Sequence, residues 1–474
     1  MQHLPSALAA ALLASVACSS FAQLKPAAPP NVIIVLPDQW RAQSFGFAGD
    51  ANIHTPQLDR LAAESVNCTH AIAGTPVCSP TRASLLTGRR PLSTGVFLND
   101  VPLDPGAVSL AKVLAGAGYD TAYVGKWHLN GGDRSEFIPR ERRQGFDYFK
   151  ALECTHDYNR SRYYEADSAR PRQWEGYDAV AQTRDATDYL RTRAGARKPF
   201  LLILAWGPPH SPYETAPAAY RAMYLGRDLA LRPNVPRTMA FVARAMLANY
   251  YAHCTALDDC MGRLREVLKE TGLEQNTVLL FTSDHGDLIG SQGGQHKQQP
   301  YDECIRVPLL VHWPAGLGTE PRRCDAVMNS EDLMPTVLGF CGLPIPPSVE
   351  GRDFSGCIRG GANPGDDTAL ISCPAPFGEW PRRLGGREYR GVRTARYTYV
   401  RDLNGPWLLY DDEADPYQLS NLIGRPEAAA VQARLDGVLD RKLAEAHDRF
   451  LPADAYIRQW GYQVDKDGSA RYRE

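Results

Sequence analysis

The sequence predicts an α/β protein with a large mixed, mostly parallel sheet sandwiched by helices, followed by a small C-terminal α+β domain with an antiparallel sheet. Two observations support this prediction. Through most of the chain, short continuous apolar runs alternate with helical patterns, which is typical of parallel strands buried on both faces. Towards the C-terminus, apolar and polar residues alternate instead, which is typical of antiparallel strands with one exposed face.

The first part of the chain contains five apolar runs that we predict to be strands. They span residues 31–36, 121–124, 199–206, 276–282 and 307–312. Helices are predicted between them: one begins with Thr55 as its N-cap and Pro56 at its first position, and others span 109–117 and 239–271. Residues 130–198 show little periodicity and are predicted to form surface loops and short helices.

A stretch rich in Gly, Asn, Pro and Asp at residues 360–367 is a predicted linker. It separates two predicted domains, one spanning 30–360 and the other 368–474. In the second domain, the sequence predicts three strands and one amphipathic helix, at 389–393, 397–401, 407–410 and 426–446.

Residues 1–22 have the features of a secretory signal peptide. An apolar run at 7–17 has the usual length, and a small-residue cleavage site ends at Ala22. We therefore expect the protein to be exported, to the periplasm or out of the cell. A lipid anchor on Cys18 is a minor alternative, because the residues from Ser15 resemble a poor lipoprotein box. The mature chain contains no stretch apolar and long enough to span a bilayer, so no transmembrane segment is expected.

The 474-residue chain has an ordinary globular composition, 44% hydrophobic and 22% charged, with a net charge of −2. This balance argues against a nucleic-acid partner, which usually requires a strongly basic surface. Of eleven cysteines, ten remain once the signal peptide is removed. Their wide spacing argues against a zinc site. Apart from Cys78, they leave room for one or two disulfides in an oxidising compartment.

Polar side chains follow four of the predicted strands, which is where open α/β sheets bind ligands. These side chains are Asp38 and Gln39, Lys126 and His128, His210, and Asp284 and His285. Because the carboxyl ends of parallel strands meet at one edge of a sheet, we expect them to converge. A single polar residue at a strand end is usually a cap or a loop residue. Four such ends favour a shared functional site.

Cys78 begins the stretch CSPTR, in which Pro80 favours a helix start and Arg82 follows one turn later. A helix N-terminus favours a developing anion, and an arginine can hold that anion through charge-assisted hydrogen bonds. The stretch is therefore a candidate nucleophile site. The motif alone leaves open a buried structural cysteine at a helix start.

The residue types gathered by this pattern suit chemistry on an anionic group. Three oxygen donors suit calcium or magnesium rather than zinc: Asp38, Gln39 and Asp284. Two lysines can bind the outer oxygens of a tetrahedral oxyanion: Lys126 and Lys297. Two histidines can transfer protons: His128 and His210. The alternative for each lysine is a solvated surface charge, and the loop-like sequence around Lys297 is typical of one.

Together these features resemble the type I, formylglycine-dependent sulfatases of the alkaline phosphatase superfamily. The family signature C-x-P-x-R is matched at residues 78–82 and is followed by LTGR at 86–89. Further matches follow in family order at 38–39, 125–128, 209–210, 283–286, 297–298, 306–309 and 410–422. The resemblance covers nearly all of residues 30–450 and implies an alkaline phosphatase-like fold and hydrolysis of a sulfate ester.

The resemblance also implies a modified nucleophile and a metal. A formylglycine-generating enzyme, or an equivalent, would oxidise Cys78 to formylglycine, whose hydrate would attack the sulfur of the ester. One calcium ion would be surrounded by Asp38, Gln39, Cys78, Asp284 and His285, with His285 either adjacent to the ion or a direct ligand.

The remaining matched residues receive roles from the same resemblance. Arg82 would stabilise the hydrate, with Lys126 and His128 beside it. His128 would take the proton of the second hydroxyl of the hydrate, which expels sulfate and restores the aldehyde. Lys297 and His210 would bind the sulfate and protonate the departing alcohol oxygen.

Gln39 departs from the pattern, because many sulfatases carry a second acid at this position. An amide has one negative charge fewer, so weaker calcium binding is expected. The Asp-Gln pair also resembles related phosphonate and phosphate ester hydrolases, which makes such an activity the alternative. If Cys78 were never modified, the protein would instead be a non-catalytic binder of sulfated glycans.

Export and the segment 130–198, rich in Tyr, Arg and Asp, favour a sulfated carbohydrate as substrate over a small aryl sulfate. Residues 153–159 are candidates for contacts with sugar hydroxyls. So are Trp380, Arg382 and Arg383 from the C-terminal part of the chain.

Overall fold

The computed structural model describes residues 28–472, so the predicted signal peptide and Cys18 lie outside the described residues. Within that range, eleven strands form the main sheet. They are β1 (Asn31–Val35), β2 (Val66–Ile72), β3 (Asp120–Lys126), β4 (Tyr148–Leu152), β5 (Arg162–Glu165), β6 (Arg172–Gln173), β7 (Phe200–Ala205), β8 (Thr277–Thr282), β9 (Arg306–Val307), β10 (Leu309–His312) and β11 (Arg322–Asn329). Their order is β11-β2-β10-β8-β1-β7-β3-β4-β5-β6, with β9 paired to β2.

The five central strands of this sheet, from β8 to β4, run parallel, and antiparallel pairs flank them on both sides. The predicted large mixed sheet is therefore confirmed. The run at 307–312 forms β9 and β10, and β10 runs antiparallel to β8. Strands β2 and β11 were not predicted, because partly exposed polar residues interrupt the apolar pattern of both.

Helices pack on both faces of the main sheet and, in the case of the helix at Ala429–Glu445, on the small C-terminal sheet. They are α1 (Pro56–Ala62), α2 (Cys78–Thr87), α3 (Pro91–Thr94), α4 (Leu110–Gly116), α5 (Asp178–Arg193), α6 (Ala218–Ala222), α7 (Ala240–Glu270), α8 (Asp302–Ile305), α9 (Pro314–Leu317), α10 (Leu333–Cys341), α11 (Ser355–Ile358), α12 (Ala429–Glu445) and α13 (Ala453–Trp460). None of these described helices is both long and apolar enough to cross a membrane.

The central strand β1 shows why its sequence is a continuous apolar run. Val32 and Ile34 belong to the core on one face of the sheet, whereas Ile33 and Val35 belong to the core on the other. Successive side chains of a strand point to opposite faces, so both faces must be apolar when both are covered. The ends of such strands are therefore held rigidly inside the protein.

The prediction of surface loops for residues 130–198 was wrong in part. This segment contributes β4, β5 and β6 to the sheet and the 16-residue helix α5, which packs on α7. The buried face of α5 includes Ala179, Ala186 and Thr183. Small and hydroxylated residues give a weak hydrophobic periodicity, so the helix was not apparent in the sequence.

The predicted capping of α1 by Thr55 was also wrong in its chemistry. The helix begins at Pro56 as expected, but the Thr55 hydroxyl makes no cap bond and accepts instead from the Gly46 amide at 2.9 Å. The Asp258 carboxylate of α7 accepts from the amides of Gln57 and Leu58, at 3.0 and 2.7 Å. A tertiary contact thus replaces the local cap.

The C-terminal part of the chain forms the predicted small antiparallel sheet. Its four strands pair in sequence order: β12 (Thr368–Cys373), β13 (Tyr389–Thr394), β14 (Tyr397–Asp402) and β15 (Gly405–Asp411). Helix α12 packs on one face through Leu435 and Leu439, which share a cluster with Val392. The other face packs against residues of the main sheet that include Ile72. The domain boundary within 360–368 stays a prediction.

Candidate active site

The polar residues predicted at four strand ends lie together, at the carboxyl edge of the parallel strands. Asp38 follows β1, His128 follows β3, His210 follows β7 and Asp284 follows β8. Each of these residues is at most 4% exposed. An isolated bridge between Asp38 and Pro209 joins two of the strand ends directly. Parallel strands packed in register bring these residues to one point, as the pattern indicated.

Helix α2 delivers Cys78 to the same point. Cys78 is the first residue of this fully buried helix, which ends at Gly88 in the left-handed conformation. The Ser79 amide donates to Asn99 Oδ1 at 3.0 Å, and the Ser79 hydroxyl donates to the His128 carbonyl at 2.7 Å. These bonds fix the helix start beside the end of β3.

The Cys78 sulfur touches the side chains of three other predicted site residues. Asp38 Oδ1 lies 3.5 Å away, His285 Nε2 3.2 Å and Lys297 Nζ 3.5 Å. Burial, followed by the nearby Asp38 charge, raises the pKa of the Cys78 thiol to about 11. At neutral pH the sulfur is therefore a thiol and a weak nucleophile.

Four of these side chains have the geometry of a metal site. Ligand atoms of Asp38, Cys78, Asp284 and His285 all lie within 4.8 Å of one another, and all four residues are buried. His285 Nδ1 donates to the Gly286 carbonyl at 3.0 Å, so the lone pair of Nε2 faces the group. Calcium–oxygen distances of about 2.3–2.6 Å match this spacing, and the carboxylates are ligands that calcium prefers. The residues therefore fit a hard divalent cation, with the soft Cys78 sulfur as the exception.

Gln39 lies at the site but its amide is already bonded. Its Nε2 donates to Asp287 Oδ2 at 2.5 Å, and its Oε1 accepts from Lys297 Nζ at 2.9 Å. Tyr213 also donates to Asp287 through its hydroxyl. The orientation of the amide is thus set by Asp287 and turns its carbonyl oxygen towards Lys297, so the predicted metal-ligand role of Gln39 stays a prediction.

Arg82 binds the two carboxylates of this candidate metal site. Its Nε donates to Asp284 Oδ2 at 3.0 Å and its Nη2 to Asp38 Oδ2 at 3.3 Å, while Nη1 donates to the Lys126 carbonyl at 2.9 Å. Lys126 Nζ donates to Asp38 Oδ2 at 2.6 Å. Burial favours the neutral acid, but the charges of Lys126 and Arg82 hold the pKa of Asp38 well below its ordinary value. Asp38 is therefore a carboxylate.

Lys297 lies between the candidate metal site and His210, and its ammonium group contacts both. Its Nζ donates to His210 Nε2 at 2.7 Å, and His210 Nδ1 donates to the Ser211 carbonyl at 2.7 Å. Burial and then the Lys297 charge hold the pKa of His210 well below its ordinary value. His210 is thus neutral and accepts from a cation. The solvated surface charge left open for Lys297 is excluded, because the residue is only 3% exposed.

His128 is held by a carboxylate that the sequence pattern did not reveal. Its Nε2 donates to Asp100 Oδ1 at 3.1 Å, and Arg134 binds both oxygens of Asp100 at 2.9 Å. His128 Nδ1 is buried and has no hydrogen-bond partner among the described residues. Burial, and then the Lys126 charge, lower the pKa of His128 to about 3. The ring is therefore neutral. Because Nε2 carries the proton donated to Asp100, Nδ1 is the unprotonated nitrogen.

The backbone is strained at three of these positions. Gln39, Asp100 and His128 have φ values of 69°, 62° and 59°, in the left-handed region. For a residue with a side chain this conformation costs about 1–2 kcal/mol. Strain of this kind is typical of functional sites, where surrounding contacts hold a side chain in a required direction.

One further residue at the site, Glu379, was missed in the sequence because it lies in a loop, whereas another, His156, belongs to the segment 153–159 proposed for sugar contacts. Glu379, between β12 and β13, has Oε2 3.5 Å from Lys297 Nζ and a side chain that is 30% exposed. His156 stacks on the His210 ring, with centroids 5.1 Å apart. Asp287, in contrast, follows Asp284 closely, and its proximity was a signal that sequence reasoning left unused.

Most residues proposed for sugar contacts have structural partners. Glu153 is 1% exposed and accepts from the amides of Asn130 and Gly131. Trp380 is 6% exposed and packs beside Tyr389 and Trp407. Arg382 and Arg383 are exposed but pair with Glu388 and Asp467. Of the segment 153–159, His156 is the residue that stacks on a site histidine.

Comparisons with known proteins show the family to which this chain belongs. The sulfatase family model matches residues 30–343, and a model for the C-terminal region of N-sulphoglucosamine sulphohydrolase matches residues 290–445. An ulvan-active sulfatase of Formosa agariphila is 43% identical over 444 residues, covering 93% of this chain and 86% of the relative. An endo-4-O-sulfatase of Bacteroides thetaiotaomicron is 33% identical, and the match covers 87% of this chain and 91% of the relative.

A solved structure extends the comparison to the fold. A Bacteroides thetaiotaomicron sulfatase, from work on the metabolism of multiple glycosaminoglycans, superimposes with a TM-score of 0.80 at 29% identity. The match covers 91% of this chain and 99% of that one. On this evidence the chain belongs to the sulfatase family of the alkaline phosphatase superfamily and is a sulfuric ester hydrolase.

Proposed function

We propose that this sulfatase hydrolyses a sulfate ester on a sulfated carbohydrate, using a formylglycine made from Cys78 and a bound calcium ion. The position of Cys78 carries the proposal: a protonated, weakly nucleophilic thiol lies among two carboxylates, a histidine and a lysine. The carbohydrate is supported by relatives that are named for ulvan and for endo-4-O-sulfatase activity, at 43% and 33% identity.

Conversion of residue 78 would improve its fit to the metal site. A thiol sulfur is a soft donor and a poor calcium ligand, whereas a hydroxyl oxygen is hard. The hydrated aldehyde would supply one hydroxyl to attack sulfur and a second whose ionisation releases sulfate, and calcium would supply charge neutralisation and orient the attacking oxygen. Asp38, Asp284 and His285 would hold the ion, and Gln39 is proposed as an additional ligand.

The chain's own residues would manage the charge around the reacting group. Lys126 and Lys297 are buried ammonium groups that can bind sulfate oxygens. Arg82 donates hydrogen bonds to both metal-site carboxylates and would hold them oriented beside residue 78. These cations would offset the negative charge of Asp38, Asp284 and an incoming sulfate in a buried site.

The two histidines would move protons in different steps of the reaction. His128 is neutral and presents a free Nδ1, so it can accept the proton of the second hydroxyl. Asp100 would act as a positioning residue, because its bond to Nε2 fixes the tautomer and the ring direction. His210 accepts from Lys297, so a proton on this pair can pass to the departing alcohol oxygen.

The test is the release of inorganic sulfate from defined sulfated oligosaccharides by purified protein, beside an aryl sulfate and an aryl phosphodiester. We expect sulfate release that is fastest on an oligosaccharide and lost in Cys78→Ala. Faster turnover of the phosphodiester would support the phosphoester hydrolase alternative instead. Tight binding of the sulfated sugar without turnover, with an unmodified Cys78, would support the glycan-binding alternative.

We also infer export, from residues 1–22, and a role for a formylglycine-generating enzyme or its equivalent in maturation. Fractionation of cells that express the full chain tests the first inference. We expect a periplasmic or secreted protein that begins after Ala22, and a lipidated N-terminus at Cys18 would support the anchor. A full-length protein retained in the cytoplasm would contradict export.

A further inference from the structure

Three cysteines lie together at the edge of the main sheet, on elements that carry none of the proposed catalytic residues. Cys324 in β11 is the register partner of Cys68 in β2, and Cys357 lies in the short helix α11. The sulfur atoms of Cys324 and Cys357 are 3.6 Å apart. All ten cysteines of residues 28–472 are free thiols in this structure.

We propose that Cys324 and Cys357 are a modification site, at which oxidation forms a disulfide that ties α11 to the edge strand β11. The sulfurs are already in van der Waals contact, and a closing movement of about 1.5 Å brings them to bonding distance. Helix α11 has only four residues, so it can accommodate this movement.

The chemistry balances with a disulfide oxidant such as glutathione disulfide. The two S–H bonds break and one S–S bond forms. Two electrons and two protons pass to the oxidant, which is reduced to two thiols. An exporting cell supplies oxidants of this class outside the cytoplasm, so the reaction in the cell rests on the proposed export.

The neighbouring groups favour reaction at this pair. The Cys68 hydrogen bond lowers the pKa of Cys324 to about 6, so Cys324 has thiolate character at neutral pH, when it can attack a disulfide. Cys357 is partly exposed, which gives an oxidant access to the pair, and burial followed by Cys324 raises the pKa of its thiol to about 11, so Cys324 is the attacking thiolate. Cys68 is 1% exposed, and its own pKa is raised well above its ordinary value, first by its hydrogen bond to Cys324. Cys68 thus supports the thiolate and stays reduced.

The bond would anchor the chain where it leaves the main sheet. Helix α11 directly precedes the predicted linker at 360–367, and β12 begins at Thr368. A bond from Cys324 to Cys357 would close a loop that contains α10, and loops of this length restrict the unfolded chain. We expect the oxidised protein to melt at a higher temperature than the reduced one.

The experiment is non-reducing peptide mapping of the purified full chain after incubation with glutathione disulfide, with free thiols alkylated during denaturation. We expect a peptide pair joined at Cys324 and Cys357, and a melting temperature that falls by about 4 °C on reduction. The variant Cys357→Ser should lose both the joined peptide and the response to reductant. The matched variant Cys341→Ser, within the same loop, should keep both.

Alkylated, unjoined peptides from both Cys324 and Cys357 after oxidation would overturn the proposal, and so would a joined pair of Cys68 and Cys324. A melting temperature that ignores reductant would overturn the anchoring role. Sulfate release separates this proposal from the proposed function. Oxidised and reduced protein should turn over sulfate ester equally, and a disulfide in a protein without turnover would contradict only the proposed function.

Discussion

The centre of the active site and its rim are built from different parts of the fold. The central residues Asp38, Lys126 and Asp284 follow strands of the parallel sheet and are at most 3% exposed. At the rim, Glu379 extends from the segment between β12 and β13, with a side chain that is 30% exposed. Strand ends and helix α2 thus hold most of the groups that would act on the sulfate, with Lys297 as the loop residue among them, whereas loops present the groups that would meet the rest of the substrate.

This difference leads to an expectation about substitutions. A change at the centre should abolish turnover of every sulfate ester, because each substrate presents the same sulfate group. A change at the rim should alter the preference among substrates and leave turnover of a small ester nearly unchanged. The predictions below test that division, from the largest effect to the smallest.

The largest effect is expected for Cys78→Ala, which removes the precursor of the proposed nucleophile. We expect kcat to fall by about 10⁴-fold or more on every sulfate ester, with the melting temperature nearly unchanged. Sulfate release and thermal unfolding measure the two quantities. Normal sulfate release by this variant on any ester would contradict the proposed nucleophile.

His128→Ala should lower kcat by about 10²–10⁴-fold, the usual contribution of a general base. Asp100→Asn should lower kcat by a smaller amount, about 10–100-fold, because it changes only the tautomer and orientation of His128. The double variant should be no slower than His128→Ala alone if Asp100 acts through the ring. Additive losses in steady-state kinetics would show that Asp100 has a separate role.

Removal of the metal should reduce turnover on all substrates alike. We expect dialysis against a chelator to lower kcat and calcium to restore it, since Asp38, Asp284 and His285 form a buried group with the spacing for one ion. Metal content and kcat, measured on the same samples, check this dependence of turnover on the metal. A metal-free protein with full kcat would contradict the calcium role.

Glu379→Gln is expected to have the smallest effect, and one that depends on the substrate. Burial alone would raise the pKa of Glu379, but the Lys297 charge outweighs burial and holds that pKa below its ordinary value. The residue is therefore a carboxylate. A carboxylate can accept hydrogen bonds from sugar hydroxyls. We expect KM for a sulfated oligosaccharide to rise about 3–10-fold, the loss of one charge-assisted hydrogen bond, with kcat for an aryl sulfate unchanged.

A matched control for the rim is Arg383→Gln, whose exposed guanidinium pairs with Asp467. It should leave KM for both substrates unchanged. If Glu379→Gln instead lowers kcat equally on the aryl sulfate and the oligosaccharide, Glu379 belongs to the centre and the division between centre and rim is wrong.

Much of the centre could be predicted from sequence, because most of its residues follow continuous apolar strands or lie in the CSPTR motif, and Lys297 was identified through the family resemblance. The structure brings Asp38, Cys78 and Lys297 within contact distance, although they are far apart in the chain. Asp100 and Glu379 could not be predicted, because both lie in loops whose course depends on tertiary packing. The bonding of Gln39 also depends on a tertiary partner, Asp287, which turns its amide oxygen towards Lys297.

The fold shows the same limit. The runs at the centre of the sheet were found because both of their faces are buried. Helix α5 was missed because Ala and Thr form much of its buried face, and β2 because polar residues interrupt its pattern. Periodicity therefore reveals elements that bury large apolar side chains and misses those that pack through small or polar ones.

The most direct test of the account is the mass of the peptide that contains residue 78, measured on protein whose sulfate release is known. We predict an aldehyde or its hydrate in place of the Cys78 thiol, with kcat across preparations proportional to the converted fraction. Full turnover by protein in which residue 78 is entirely an unmodified thiol would contradict the central claim.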